Sequence, residues 1–455
     1  MASGTVVVID GCALATVDPS ETEYLSGHVV IADGRITAVG AGPAPAVDGA
    51  RRIDGSGCLL TPGFVNTHHH LCQSITRGFA QDGTLFQWLS TLYPIWAGFD
   101  AELEYRAASA GLATLALSGC TTAFDHNYLF PRNSGDILGA EIEAARRIGL
   151  RFHAARGSMD LGKSAGGLPP DSVVEDPDEV LAACEAAVAE HHDRSPDAML
   201  RIVVAPCTPF TNSGQLLRDS AELARRLDVR LHTHLAETLD EEEFCLANFG
   251  VRPVDYVESL GWLGEDVWLA HCVHLSEADI AKLAATGTGA AHCPSSNGRL
   301  GSGIAPIPEL LAAGVPVGLG VDGVASNEHG RLAEELRQSV LAARYRRGPQ
   351  ALTARQALVM ATMGGARCLG RQDDLGSIEV GKLADLALWR LDGLGHADIA
   401  DPVCALVFGP PAPLELLLVG GNVVVEKEEL RTADVSVLAA DARSAAQELV
   451  RRAAG

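Results

Sequence analysis

The sequence predicts an α/β chain: a TIM-like (β/α)8 barrel with a small β-sandwich domain formed by the N- and C-terminal segments. Three observations carry that expectation. Between about residues 59 and 369, short apolar runs alternate with amphipathic stretches rich in Ala, Leu and Glu. β-branched runs mark both chain ends. Ionisable side chains collect where the barrel runs stop, the end at which such barrels carry their chemistry.

The first segment, residues 1–58, reads as β. TVVVID, HVVIA and ITAVG are short β-branched runs, and Asp33-Gly34 between the last two is a hairpin signal. Eight candidate barrel strands follow: LLTPGFVNT, GCTTAFD, LRFHAAR, LRIVVAP, VRLHTHLAE, VWLAHCVH, GTGAAHCP and VPVGLGVDG. Amphipathic stretches such as DEVLAACEAAVAEHH and SGQLLRDSAELARRL separate them. Ser276 with Asp279, and Thr353 with Gln356, read as capping boxes or close variants. Continuous apolar strands alternating with helices imply a parallel sheet covered on its outer face. From about residue 370 the β character returns in ADLALWRL and LELLLVGGNVVVE. These strands are expected to pair with those of residues 1–58. The expected domains are therefore 1–58 with 370–455, ending in the helix DARSAAQELVRRAAG, and a barrel over 59–369.

Composition narrows the function classes. The chain has 455 residues, is 47% hydrophobic and carries a formal charge of −23. That charge argues against nucleic acid, because no surplus of Lys and Arg exists to neutralise phosphates. Eleven cysteines, from Cys12 to Cys404, form no CxxC pair; free buried thiols in a reducing compartment are expected. The N-terminus lacks the pattern of a secretory signal, and no apolar run reaches the roughly 18 residues that a bilayer span needs. A cytoplasmic protein with no membrane partner is the expectation.

The strand ends hold the chemistry. Strand 1 runs into Asn66-Thr67-His68-His69-His70. Side chains alternate along a strand, so His68 and His70 can grip one ion while His69 points away. Strand 5 ends in His232-Thr233-His234-Leu235-Ala236-Glu237, strand 6 in His271-Cys272, strand 7 in His292-Cys293-Pro294 and strand 8 in Asp322-Gly323. Three imidazoles and one carboxylate suit zinc or a similar divalent metal, with a position left for water. Such an ion lowers the pKa of bound water to about 7.

PGFVNTHHH, HTHLAE, LAHC and GVDGVASN, in this order, resemble the amidohydrolase superfamily in its branch of deaminases and triazine hydrolases. The likeness extends to the closing GSIEVGKLADLALW. It implies His68, His70, His234 and Asp322 as metal ligands, His234 being the histidine three residues before the Glu. His232 is then a packing or supporting residue. Binuclear relatives place a modified lysine at the end of strand 4; Val204-Ala205-Pro206-Cys207 has none, so one divalent ion is expected, zinc first and iron able to share its ligands. The resemblance further implies Asp322 as the group that takes a proton from water and delivers it to the amine, Glu237 as the proton donor to a ring nitrogen, and His271 as the residue that orients the nucleophile and stabilises the developing oxygen charge.

The loop after strand 1, residues 71–100, is long enough to cover a ring. Gln73 offers a donor and an acceptor to a lactam edge, and Trp88 is expected as a pocket wall or a core residue. HHHLCQSITRG, SGCTTAFDHNY, FHAARGSM and GGLPPDSVVE resemble the 8-oxoguanine deaminases within the branch; FHAARGSMDLGKSAGG also resembles the triazine hydrolases. The expected reaction is hydrolytic loss of ammonia from an oxopurine-like ring, 8-oxoguanine to urate first. Cys72 and Asn127 depart from the commonest pattern, an aromatic and a second His, which leaves guanine, a pterin or isocytosine open. An s-triazine hydrolase is the alternative enzyme, and a barrel scaffold without catalysis would lack the ligands. A thiol nucleophile at Cys272 or Cys293 is unnecessary beside a metal. The run His292–Asn297 is left out of the ligand set. Relatives often associate, so a homo-oligomer is among the expectations.

Overall fold

The computed structural model describes residues 6–454. Eight parallel strands close into a barrel: Phe64–Asn66, Cys120–Asp125, Arg151–Ser158, Leu200–Pro206, Arg230–Leu235, Val267–His271, Gly289–His292 and Val317–Leu319. Seven lie inside one of the eight predicted runs, and the third, Arg151–Ser158, runs two residues past its run, which ends at Arg156. The last strand pairs with the first through Leu319 and Asn66, so no barrel edge is left open. Helices follow the strands, and the two expected capping boxes are present at Ser276/Asp279 and Thr353/Gln356.

The first predicted run divides. Cys58–Pro62 pairs with Leu386–Arg390 in the other sheet, and only Phe64–Asn66 enters the barrel. Gly63 is the crossing point: a Cβ there would collide with the Thr121 side chain, so the residue that lets the chain change sheets has none.

The terminal segments build one nine-stranded sheet. Thr5, the start of the first predicted run, lies outside the described residues; the observed strand is Val7–Ala15. Strands Glu23–Ala32 and Arg35–Ala41 turn through Asp33 (φ 49°) and Gly34 (φ 77°), the two left-handed residues a tight hairpin requires. The sheet curls on itself. Ala384 N donates to Gly34 O while Gly421 N donates to Ala384 O, so hairpins from opposite chain ends meet. Val7, Ile9, Val29 and Ile31 share a sandwich-like core with Leu386, Leu388, Leu416 and Leu418. The final helix, Val435–Ala453, goes elsewhere: Ala445 and Leu449 are buried in one apolar cluster with Leu92, Trp96 and Leu103 of the barrel-side helices, and Arg452 pairs with Asp100 at 2.7 Å. It packs on the barrel although its neighbours in sequence belong to the sheet.

No helix among the described residues is long and apolar enough to cross a membrane. All eleven cysteines are free thiols, ten of them buried.

Candidate active site

The site sits at the C-terminal ends of the barrel strands, where backbone geometry departs from extended. Ala236, His271, Cys272 and Asp322 all have positive φ (53°, 71°, 50° and 62°). Asp and His tolerate this region better than most residues, yet each such residue costs on the order of 1–3 kcal/mol. The cost is offset locally. Asp322 N donates to His68 O at 3.0 Å, and Gly323 N donates to Asp322 Oδ1 at 2.7 Å. Ala236 N and Glu237 N both donate to the buried Glu241 carboxylate at 2.9 Å.

Proton positions follow from partners that can only accept. His70 Nδ1 is 2.8 Å from the His126 carbonyl and His234 Nδ1 is 2.7 Å from the Cys207 carbonyl, so both nitrogens carry hydrogen. Their Nε2 atoms turn inward and lie 3.0 Å apart. His232 Nδ1 donates to Trp268 O at 2.9 Å, which makes its Nε2 the acceptor for His68 Nδ1 at 2.9 Å. His68 Nε2 is left with a lone pair, 3.3 Å from Asp322 Oδ1; His70 Nε2 is also 3.3 Å from that oxygen. His70 Nε2 thus lies beside both His234 Nε2 and Asp322 Oδ1, with His68 Nε2 on the same oxygen, all buried. Two clusters that share His68, one with His126 and His234 and one with His271 and Asp322, bring possible ligand atoms within 4.8 Å of one another. Acceptors so arranged repel one another unless a cation stands between them. This donor set fits a zinc-like divalent ion.

Electrostatics agree. Burial pushes His68 down to about 3 and His234 well below its ordinary value, so both rings are neutral. Burial also opposes charge on His70, but Asp322 overrides it and holds His70 above its usual value: the spot favours positive charge. Glu237 is raised to about 8, first by burial and then by the nearby Asp322 charge. Burial lowers His271. Its Nε2 lies 3.6 Å from Glu237 Oε2 and 3.9 Å from Asp322 Oδ2, so the three groups assigned to proton handling form one cluster.

These groups open onto a small, narrow pocket whose wall includes Gln73, Trp88, Tyr93, Tyr128, Thr208 and Phe210. Gln73 Oε1 is buried without a hydrogen-bond partner. Trp88 spends its indole N–H on Ala325 O at 3.3 Å, which leaves its ring as wall. Both sequence-chosen substrate residues therefore line the cavity. His232 sits against Trp268 and Phe124 below the site (ring centroids 4.6 and 4.7 Å) and supports His68. His69 points away, toward Asp125 (3.9 Å).

Sequence reasoning missed His126 and Glu241. The His126 carbonyl orients His70 and its ring stacks on His234 (4.7 Å). No spacing rule marks a residue that acts through its carbonyl. Glu241 did carry a signal: Thr238-x-x-Glu241 is a capping-box pattern, and Thr238 is indeed the helix cap.

Comparison with known proteins agrees with this geometry. The amidohydrolase family model matches residues 59–424. The chain is 46% identical to the 8-oxoguanine deaminase of Pseudomonas aeruginosa over 93% of this chain and 95% of that protein. It is 40% identical to an isoxanthopterin deaminase from an unknown prokaryotic organism, over 95% and 94% of the two chains. Among solved structures, the atrazine chlorohydrolase of Arthrobacter aurescens TC1 complexed with zinc superposes with a TM-score of 0.92 at 36% identity, covering 97% of this chain and 100% of that one. With barrel, strand-end histidines and match over most of its length in agreement, this chain belongs to the amidohydrolase family and is a C–N hydrolase of the deaminase type.

Proposed function

We propose that this protein hydrolytically deaminates an oxopurine-like ring, with 8-oxoguanine, converted to urate and ammonia, as the first candidate. The observation that carries this reading is the meeting of a protonated acid, Glu237, an ionised acid, Asp322, and a free amide oxygen, Gln73, around one cavity. Likeness to an 8-oxoguanine deaminase over nearly the whole chain supports the choice of ring.

We assign His68, His70, His234 and Asp322 as ligands of one divalent cation, zinc first and iron second. Such an ion supplies a water acidified to a pKa of about 7. Asp322, ionised despite its burial, takes a proton from the attacking water and returns one to the departing amine. Glu237, raised to about 8, is protonated at neutral pH and can hand a proton to the ring nitrogen as the amine-bearing carbon becomes tetrahedral. His271 stands between the two carboxylates and orients the water. Gln73 addresses the lactam edge, and Trp88 walls the ring.

The second reading is an s-triazine hydrolase, favoured by the close superposition on the atrazine chlorohydrolase. Ammonia and chloride release, measured side by side on 8-oxoguanine, guanine, isoxanthopterin, isocytosine and chlorotriazines with protein of known metal content, separates the two. Ammonia from 8-oxoguanine at the highest kcat/KM supports the first; chloride release with no ammonia from any purine rejects it. Eleven unpaired thiols suit a cytoplasmic location.

A further inference from the structure

The run His292-Cys293-Pro294-Ser295-Ser296-Asn297 has no part in the reaction above, yet the fold brings it to the site twice. The seventh barrel strand ends at His292, and a short helix, Pro294–Arg299, begins there. Consecutive helical residues point about 100° apart, so neighbours on this helix meet different partners. Ser296 Oγ donates to Asp322 Oδ2 at 2.5 Å. Asn297 Oδ1 lies 2.9 Å from His271 Nδ1. The helix is tied down from behind: Ser295 N donates to Glu335 Oε2 at 3.1 Å, and Asn327 Nδ2 holds the other oxygen of that wholly buried carboxylate at 2.8 Å.

A neutral imidazole has one proton to place. His271 Nε2 faces Glu237 Oε2 at 3.6 Å and the ionised Asp322 Oδ2 at 3.9 Å, and the Asp322 charge draws the proton to that side. Asn297 Oδ1 competes from the other side at a closer, true hydrogen-bond distance. We propose that Asn297 is a positioning residue that keeps the His271 proton on Nδ1, so that Nε2 presents a lone pair to the reacting groups. In this tautomer His271 orients the attacking water by accepting its hydrogen, and can accept likewise from protonated Glu237. Charge stabilisation by the ring then enters only after it has gained a proton. With the proton on Nε2 instead, the ring would donate to the carboxylates and lose that acceptor.

The rate arm of the test rests on the deaminase reading; the spectroscopic arm does not. Zinc-loaded protein with 15N-labelled histidine is compared with Asn297→Leu and Asn297→Asp, the His271 signals being assigned by their loss in His271→Gln. Nδ1 carries hydrogen in the wild type and in Asn297→Asp, whose carboxylate can only accept. Asn297→Leu moves the proton to Nε2 and lowers kcat on 8-oxoguanine about 10–100-fold, the usual range for outer-shell partners. KM stays within about threefold, as expected when an interaction is lost in the chemical step rather than in binding. Metal content is unchanged, and Asn297→Asp recovers most of the loss. A wild-type ring protonated on Nε2 overturns the proposal, as does a Leu variant with an unchanged tautomer. If Asn297→Leu does not fold, the wild-type spectrum alone decides. Absence of ammonia from every ring tested rejects the deaminase reading, and the spectra still decide the tautomer.

Discussion

His70 Nε2 and His234 Nε2 lie 3.0 Å apart, each with its ring proton turned outward to a carbonyl. Two lone pairs at that distance, buried beside an ionised Asp322, place negative potential where water cannot screen it. Removing the cation by chelation is therefore expected to lower the melting temperature, and restoring zinc to raise it. At a ligand concentration 100-fold above Kd the gain is about 2.7 kcal/mol. Differential scanning fluorimetry with metal analysis checks this; an apo protein that melts with the holo protein contradicts the ligand assignment.

Glu237→Gln keeps the shape of the side chain but has no acidic proton. Metal content should match the wild type while kcat falls by about 10²–10⁴, the range for a lost general acid. Near-normal turnover would remove Glu237 from the mechanism.

The raised pKa of Glu237 also couples to stability. In the metal-free protein the native state keeps this proton up to about pH 8, whereas the unfolded chain loses it near the ordinary value of 4.5. Between those limits the native state binds more protons, so its stability falls as pH rises. Glu237→Gln abolishes that contribution. The apo variant should gain melting temperature relative to apo wild type from pH 5 to pH 8; parallel curves would show that Glu237 ionises normally.

Gly323 follows Asp322 where Gln73 crosses, and a Cβ at 323 would overlap the Gln73 amide. Gly323→Ala is expected to displace Gln73 and raise KM about tenfold, the effect of one lost hydrogen bond of roughly 1.4 kcal/mol. Metal content should hold. An unchanged KM for 8-oxoguanine would dissociate Gln73 from ring recognition.

Arg151 of the barrel and Asp385 of the terminal sheet form a two-point ion pair (2.8 and 3.1 Å), and Asp385 also accepts Gly420 N at 2.7 Å. Both side chains are almost wholly buried. Asp385→Ala leaves the buried guanidinium without its paired carboxylate, held by the Asp197 and Ala198 carbonyls, and is expected to destabilise the fold by about 3–5 kcal/mol. Denaturant unfolding followed at Trp389, which stacks on Phe64 of the first barrel strand at 5.2 Å, reports it; a loss below about 1 kcal/mol would mean the pair contributes little.

The residues proposed to hold the ion and the residues that support them differ in how they could be read. Eight apolar runs separated by amphipathic stretches determine the barrel, because period and length are local properties of the chain. Alternation along an extended segment predicts that His68 and His70 share a direction, and both reach Asp322 Oδ1 although the strand itself stops at Asn66. Asp322 follows from its place at the end of the last run. Other features depend on contacts between segments far apart in sequence. Leu59 and Leu60 look like barrel strand but pair with Leu388 and Trp389; the final helix sits on the barrel rather than on the sheet beside it in sequence. The His126 carbonyl, Ser296 and Asn297 act on His70, Asp322 and His271 across strand boundaries. Local pattern records which face of a strand or helix is apolar, whereas a hydrogen bond between two strand ends exists only once the barrel has closed, and so only the tertiary structure could decide where each imidazole keeps its proton.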